Sequence, residues 1–125
     1  MIYGIGTDIV QISRIEKAMQ RWGDRFLQRV FTDAEIAYCR QKVTPAARFA
    51  LRFAAKEAFV KALGLGVSQG LSLNHVEVVK TSRGAPELDL HGRAKELSEG
   101  KGIRRSFLSL SDDGLYAIAM VILEV

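Results

Sequence analysis

Cysteine, proline and tryptophan are scarce in this sequence: one, two and one among 125 residues. A single thiol, Cys39, excludes an intrachain disulfide framework. Small secreted scaffolds that depend on disulfides are excluded with it, and a reducing, cytoplasmic setting is the expectation. Cys39 falls in a stretch that reads as helical, Asp33 to Gln41, with no partnering motif nearby, so it reads as a small structural hydrophobe. No run approaches the ~18 apolar residues of a membrane span. The longest, Leu115 to Leu123, suits a buried strand. The N-terminus lacks the basic and apolar segments of a secretory leader, so none is expected. Internal repeats and low-complexity segments are also missing. Pro45 and Pro86 stand at the starts of elements rather than in a linker, and one domain over residues 1–125 is the expectation.

What is present is a chain 48% hydrophobic, enough for one core without staples. Its formal charge is +4. That modest excess suits an anionic partner and does not choose between nucleic acid, an acidic protein and a polyphosphate ligand.

Residues 2–10 read as a strand with Ile5, Thr7 and Ile9 on one face and Gly4, Gly6, Asp8 and Val10 on the other. A helix is predicted from Ile12 to Phe26, with Ile12, Ile15, Met19, Trp22 and Phe26 at helical spacing; Gly23 allows two short helices instead. Thr32 three residues before Glu35 is a capping-box pattern, opening a helix to about Lys42. Thr44-Pro45 opens the strongest helix, which Gly64 stops. Gly64, Gly66 and Gly70 then suggest a flexible loop. Val76 to Val79 and Glu87 to Leu90 read as strands around Ser82-Arg83-Gly84, and Arg93 to Glu99 as a short helix. Arg104 to Ser111 alternates, and Asp112-Asp113-Gly114 turns into the last strand. The fold class is α+β, with helices packed on a small, mainly antiparallel sheet.

Two acids draw the eye. Asp8 shares its strand face with two glycines, which in a strand mark close approach of a ligand or of another backbone. It equally reads as an acid that ends the strand and caps the next helix. Glu57 lies in the middle of the long helix among Phe53, Ala54, Ala55, Ala58 and Phe59, where a lone charge is costly. Lys61, one turn on, makes an ordinary helix pair the plain alternative, worth about 0.2–0.5 kcal/mol. Together Asp8 and Glu57 offer two hard oxygen ligands of the kind magnesium takes alongside substrate phosphates, with Lys61 as a point charge toward a phosphate.

The first helix carries Arg14, Lys17, Arg21, Arg25 and Arg29 against Glu16 and Asp24. In an unbroken helix Arg14, Arg21 and Arg25 fall within about 40° of one another. That strip is either a solvated face or a docking surface for an acidic helix or a phosphate backbone. His75 and His91 lack metal-ligand spacing relative to each other and read as structural or surface residues. Ser109 and Ser111 lack a nucleophile elbow, and Gly64-Leu65-Gly66 is neither a P-loop nor a dinucleotide fingerprint.

Residues 4–10 (GIGTDIV) resemble the first motif of the holo-acyl-carrier-protein synthase family, and residues 52–64 (RFAAKEAFVKALG) resemble its second. Leu71 to Glu77, Gly84 to Leu90 and Tyr116 to Glu124 are also similar, so the resemblance spans nearly the whole chain. It implies a trimeric α+β enzyme with active sites at subunit interfaces. With Mg2+, such an enzyme moves the 4′-phosphopantetheine of coenzyme A onto a serine of acyl carrier protein and releases adenosine 3′,5′-bisphosphate, in support of fatty acid biosynthesis.

By the same resemblance, Asp8 and Glu57 hold the metal and Lys61 stabilises charge on the phosphates. Glu57, or a water on the metal, accepts the serine proton. Arg14, Arg21, Arg25 and Phe26 dock the acidic carrier. Arg52, Lys61 and Gly64 contact coenzyme A, and Lys42 and Arg48 reach its 3′-phosphate. Some members carry a histidine where this chain has Asp112-Asp113, so a histidine role does not carry over. Two rival classes remain: a basic nucleic-acid-binding domain, which leaves the two acids unexplained, and a non-catalytic carrier-binding protein, in which the metal ligands are expected to be lost.

Overall fold

The computed structural model describes residues 1–64 and 70–125. The expected loop residue Gly66 lies outside them. The described residues form five α-helices and five strands. Strand β1 (Ile2–Gln11) leads into α1 (Ile12–Trp22), α2 (Asp24–Val30), α3 (Asp33–Arg40) and α4 (Pro45–Leu63). A single 3-10 turn, Leu73–His75, precedes β2 (Val76–Lys80) and β3 (Pro86–Leu90), followed by α5 (Gly92–Gly100), β4 (Arg105–Asp112) and β5 (Tyr116–Glu124). No helix among the described residues is long and apolar enough to cross a membrane.

The first and last strands meet: β5 is the centre of a three-stranded antiparallel sheet in the order β1-β5-β4. The β2-β3 hairpin forms a separate two-stranded sheet. The α+β class holds, with the expected later sheet divided in two.

Helix α4 lies on the inner face of the larger sheet and is the centre of the core. Phe49, Ala50, Ala54, Ala55, Ala58 and Phe59 have no exposed surface, and neither do Ala117, Ala119, Val121 and Leu123 on β5. The period-2 alternation of β5 therefore splits the apolar run expected to be a buried strand. Ile118 and Met120 point to the outer face and are 46% and 44% exposed. Ile5, Ile9 and Phe107 on the flanking strands are exposed as well.

The predicted capping box forms in full: the Thr32 side chain accepts from the Glu35 backbone N–H at 3.2 Å, and Glu35 Oε1 accepts from the Thr32 N–H at 2.9 Å. Glu35 does more than cap. It is buried and accepts from the Val78 N–H at 2.9 Å and from Lys56 Nζ at 2.8 Å. Burial pushes the Lys56 ammonium below its usual range, and the Glu35 charge beside it opposes that shift. Cys39 is also buried, and desolvation raises its thiol to about 11, so it stays an unreactive thiol.

Gly23 ends the first helix. Its φ of +56° suits glycine, and the chain restarts as α2 at Asp24. The two-helix reading is the observed one. Trp22, expected on the apolar stripe, is the last residue of α1 and is 52% exposed, whereas Met19 before the break and Phe26 after it pack against the core.

Candidate active site

The glycine-flanked face of β1 packs against backbone. A Cβ on Gly6 would lie 1.9 Å from the Ala58 carbonyl oxygen, and one on Gly4 would lie 2.0 Å from that of Ala62. The space read in the sequence as open to a ligand or a backbone is occupied by α4 itself. Two residues past Gly6, Asp8 is the first polar side chain on this face, so the contact delivers it to the flank of α4.

There it meets groups one helical turn apart. Lys61 Nζ lies 3.0 Å from Asp8 Oδ1 and donates to the Thr7 carbonyl at 3.1 Å. The simple Glu57–Lys61 helix pair gives way to this bond, since the lysine reaches across to β1. Glu57 is half-buried, and its carboxyl is raised above the ordinary 4.5, first by burial and then by the Asp8 charge, with Lys61 opposing. Asp8 is thus near enough to Glu57 for its charge to disfavour ionisation there. Such a pair of hard oxygens suits a divalent cation of the magnesium type, with Lys61 able to turn to an anionic ligand of that cation.

A second group of expected residues gathers elsewhere. Arg52 is buried, with its guanidinium 4.5 Å from the Tyr38 ring centroid, and the Lys42 ammonium lies 4.5 Å from the same centroid. Lys80 joins them. Its hydrogen bond, opposed by burial and aided by its charge and those of Lys42 and Arg52, holds the Tyr38 hydroxyl below its usual range. Arg48, Arg52, Lys80 and Asp112 line a cavity of about 180 Å3 beside Tyr38. The Nε atoms of Arg48 and Arg52 are buried without a partner. Sequence reasoning missed Tyr38 and Lys80, because their part depends on a meeting of α3, α4 and β2 that no local pattern signals.

The two groups occupy opposite flanks of α4. Arg52 and Glu57 are five residues apart, about 140° around a helix, and Arg48 and Glu57 about 180°. Leu110, on the cavity wall, and Asp8 are both register partners of Ala119, so β5 lies between them. Two strand spacings put the flanks about 10 Å apart at that row. Gly64, the left-handed cap of α4, lies on the Lys61 side, its N–H bonded to the Lys61 carbonyl.

Arg14, Arg21 and Arg25 are all exposed. Arg25 belongs to α2, so the single-helix strip is corrected to two segments around Gly23. Arg25 and Phe26 line a groove of about 330 Å3 with Trp22 and Arg29. The Arg21 guanidinium lies 4.8 Å from the Trp22 ring centroid. The sequence assigned Trp22 to the core and so missed it here.

One further cluster was not foreseen. Glu77 and Asp89 oppose each other across the hairpin, and His91 Nε2 lies 2.8 Å from Glu77 Oε1. The hairpin register, once drawn, would have revealed it.

The model of the 4′-phosphopantetheinyl transferase superfamily matches residues 4–119. The chain belongs to this family. A Geobacter sp. (strain M21) protein named holo-[acyl-carrier-protein] synthase is 52% identical over 99% of both chains. Among solved structures, the holo-[acyl-carrier-protein] synthase of Neisseria meningitidis superposes with a TM-score of 0.91 at 39% identity, covering 100% of both chains. The Helicobacter pylori holo-[acyl-carrier-protein] synthase, solved in complex with coenzyme A, gives 0.85 at 37% identity, over 96% of this chain and 99% of that one. The two solved structures share this chain's fold over 100% and 96% of its length.

Proposed function

We propose that this family member transfers the 4′-phosphopantetheine group of coenzyme A to a serine of apo acyl carrier protein, in support of fatty acid biosynthesis in the cytoplasm. The observation that carries this reading is the convergence of Asp8 from β1 with Glu57 and Lys61 from α4. The names of the relatives, and the coenzyme A in the Helicobacter pylori structure, support the choice of substrates.

Asp8 and Glu57 would hold Mg2+, which when bound supplies charge neutralisation on the pyrophosphate. Lys61 reaches the same phosphates from a side chain more than half exposed, so it can leave Asp8 for a substrate oxygen. The serine oxygen forms a bond to the β-phosphorus, and the bond from that phosphorus to the bridging oxygen breaks. Adenosine 3′,5′-bisphosphate leaves with the electron pair. Glu57, or a water on the metal, would take the serine proton. Positioning and charge neutralisation carry most of such a transfer.

The cationic cavity of Arg48, Arg52 and Lys80, with Lys42 over the adjoining Tyr38 ring, suits the 3′-phosphate end of coenzyme A. Its place on the far flank of α4 favours a site completed by two copies of the chain, with one offering the acids and its neighbour the cations. The apolar outer face of the sheet, with Ile5, Ile9, Phe107, Ile118 and Met120 exposed, supports burial against further copies in a homotrimer. Arg14, Arg21, Arg25 and Phe26 would dock the acidic carrier.

Incubation with apo carrier, coenzyme A and Mg2+, followed by weighing the carrier by mass spectrometry, tests the reading. Added phosphopantetheine mass that disappears with chelator is expected. Unmodified carrier, with duplex DNA bound steeply against salt and regardless of chelator, would favour the nucleic-acid alternative.

A further inference from the structure

We propose that Lys56 is a positioning residue for the Asp8–Glu57 pair, acting through its buried bonds to Glu35 and to the start of β2; the inference rests on the metal-site reading above. Lys56 has no exposed surface, yet nothing in the transfer chemistry uses it. Its ammonium donates to Glu35 Oε1 at 2.8 Å, to the Leu73 carbonyl at 3.2 Å and to the Val76 carbonyl. Glu35 is itself fixed by the Thr32 and Val78 N–H groups. Three donors of one side chain thus tie α4 to α3 and to the entry of the hairpin.

The need for such a tie follows from the other side of the helix. Gly4 and Gly6 meet the backbone of Ala62 and Ala58. Without side chains on the strand, that contact gives close approach with little interlocking, and the bonds that cross it, from Lys61 to Asp8 and the Thr7 carbonyl, come from a side chain more than half exposed. Ala58 and Ala62 lie about 200° and 240° around the helix from Lys56. The smooth contact and the directional one therefore grip α4 from nearly opposite sides. Glu57, the next residue after Lys56, inherits its azimuth from the directional grip. An ordinary buried ion pair is weak evidence for stability, which leaves orientation as the property this one supplies.

Mn2+ can stand in for Mg2+ in an electron paramagnetic resonance titration of free metal in the presence of coenzyme A. Lys56→Met is expected to weaken Mn2+ binding about tenfold, the scale for losing an outer-shell support, while coenzyme A binding measured in chelator stays unchanged. Removing Lys56 alone leaves the Glu35 charge buried without its cation, so Lys56→Met/Glu35→Gln is the second variant. Weakened Mn2+ binding in that neutral pair, with a melting temperature near the parent's, supports the inference. Parental Mn2+ affinity in either variant overturns it. Phe49→Leu serves as a control for general loosening, and an equal loss of Mn2+ there also overturns the inference. Glu57→Gln separates the two levels: if it keeps Mn2+ affinity, the metal-site reading itself fails, whereas loss there with parental affinity in the Lys56 variants sinks the positioning role alone.

Discussion

The two flanks of α4 are built by opposite means. On the β1 side, glycines let two backbones touch, and the functional groups are short acids whose positions follow the main chain. On the β4 side, Arg52, Lys42 and Lys80 gather around the Tyr38 ring, with Arg48 on the wall of the same cavity, all at the ends of long side chains. The difference matches the chemistry proposed for each. A small hard cation tolerates little error in ligand position, whereas a phosphate can be met by cations that reach for it.

That contrast can be broken from the acid side first. Asp8→Ala or Glu57→Ala is expected to abolish transfer to the carrier, with the fold intact by circular dichroism; full activity in either variant contradicts the metal assignment. Gly6→Ala puts a methyl where the Ala58 carbonyl lies. Displacing β1 on the order of 1 Å should cost about 100-fold in turnover, although no acid is changed. Steady-state rates that survive this substitution would show that the close contact is dispensable.

Reversing charge on the remote helices should separate the substrates. Arg14→Glu with Arg21→Glu is expected to weaken carrier binding far more than coenzyme A binding, and parental carrier binding should itself weaken as salt rises. Equal losses for both ligands would remove the docking role.

The smallest effect is one of stability. The folded-state pKa of Glu57 is raised, so its charge opposes folding of the metal-free protein above that value. The cost is relieved as pH falls through the folded value toward 4.5. Glu57→Gln should therefore raise the melting temperature in chelator at neutral pH. In the parent, metal affinity should decline on acidification from a pH above the ordinary carboxylate range. A lower melting temperature for Glu57→Gln would contradict the raised value.

Much of this architecture was legible because its signals are local. The Thr32–Glu35 box, the Pro45 start and Gly64 stop of α4, and the turn before β5 all lie within a few residues of sequence. Asp8 and Glu57 stood out as acids in the wrong company, before any geometry was known. What stayed hidden depends on distant meetings. Glu35 looked like a cap and is also the partner of Lys56, 21 residues away. Tyr38 became a platform only once α4 and β2 closed on it. The arginine strip was drawn on one helix axis, and Gly23, whose freedom of φ the sequence did show, decided against it. The apolar run of β5 could not reveal that only one of its faces finds a partner within the chain.

A mixing experiment tests the shared site most directly. Glu57→Ala and Arg52→Gln protomers, each inactive or nearly so alone, are unfolded, combined and refolded together, and transfer to the carrier is measured by mass spectrometry. If acids from one copy and cations from its neighbour complete each site, some interfaces in the mixture carry no defect and activity returns. If every site is made within a single chain, each retains one defect, and the mixture stays as inactive as its parts.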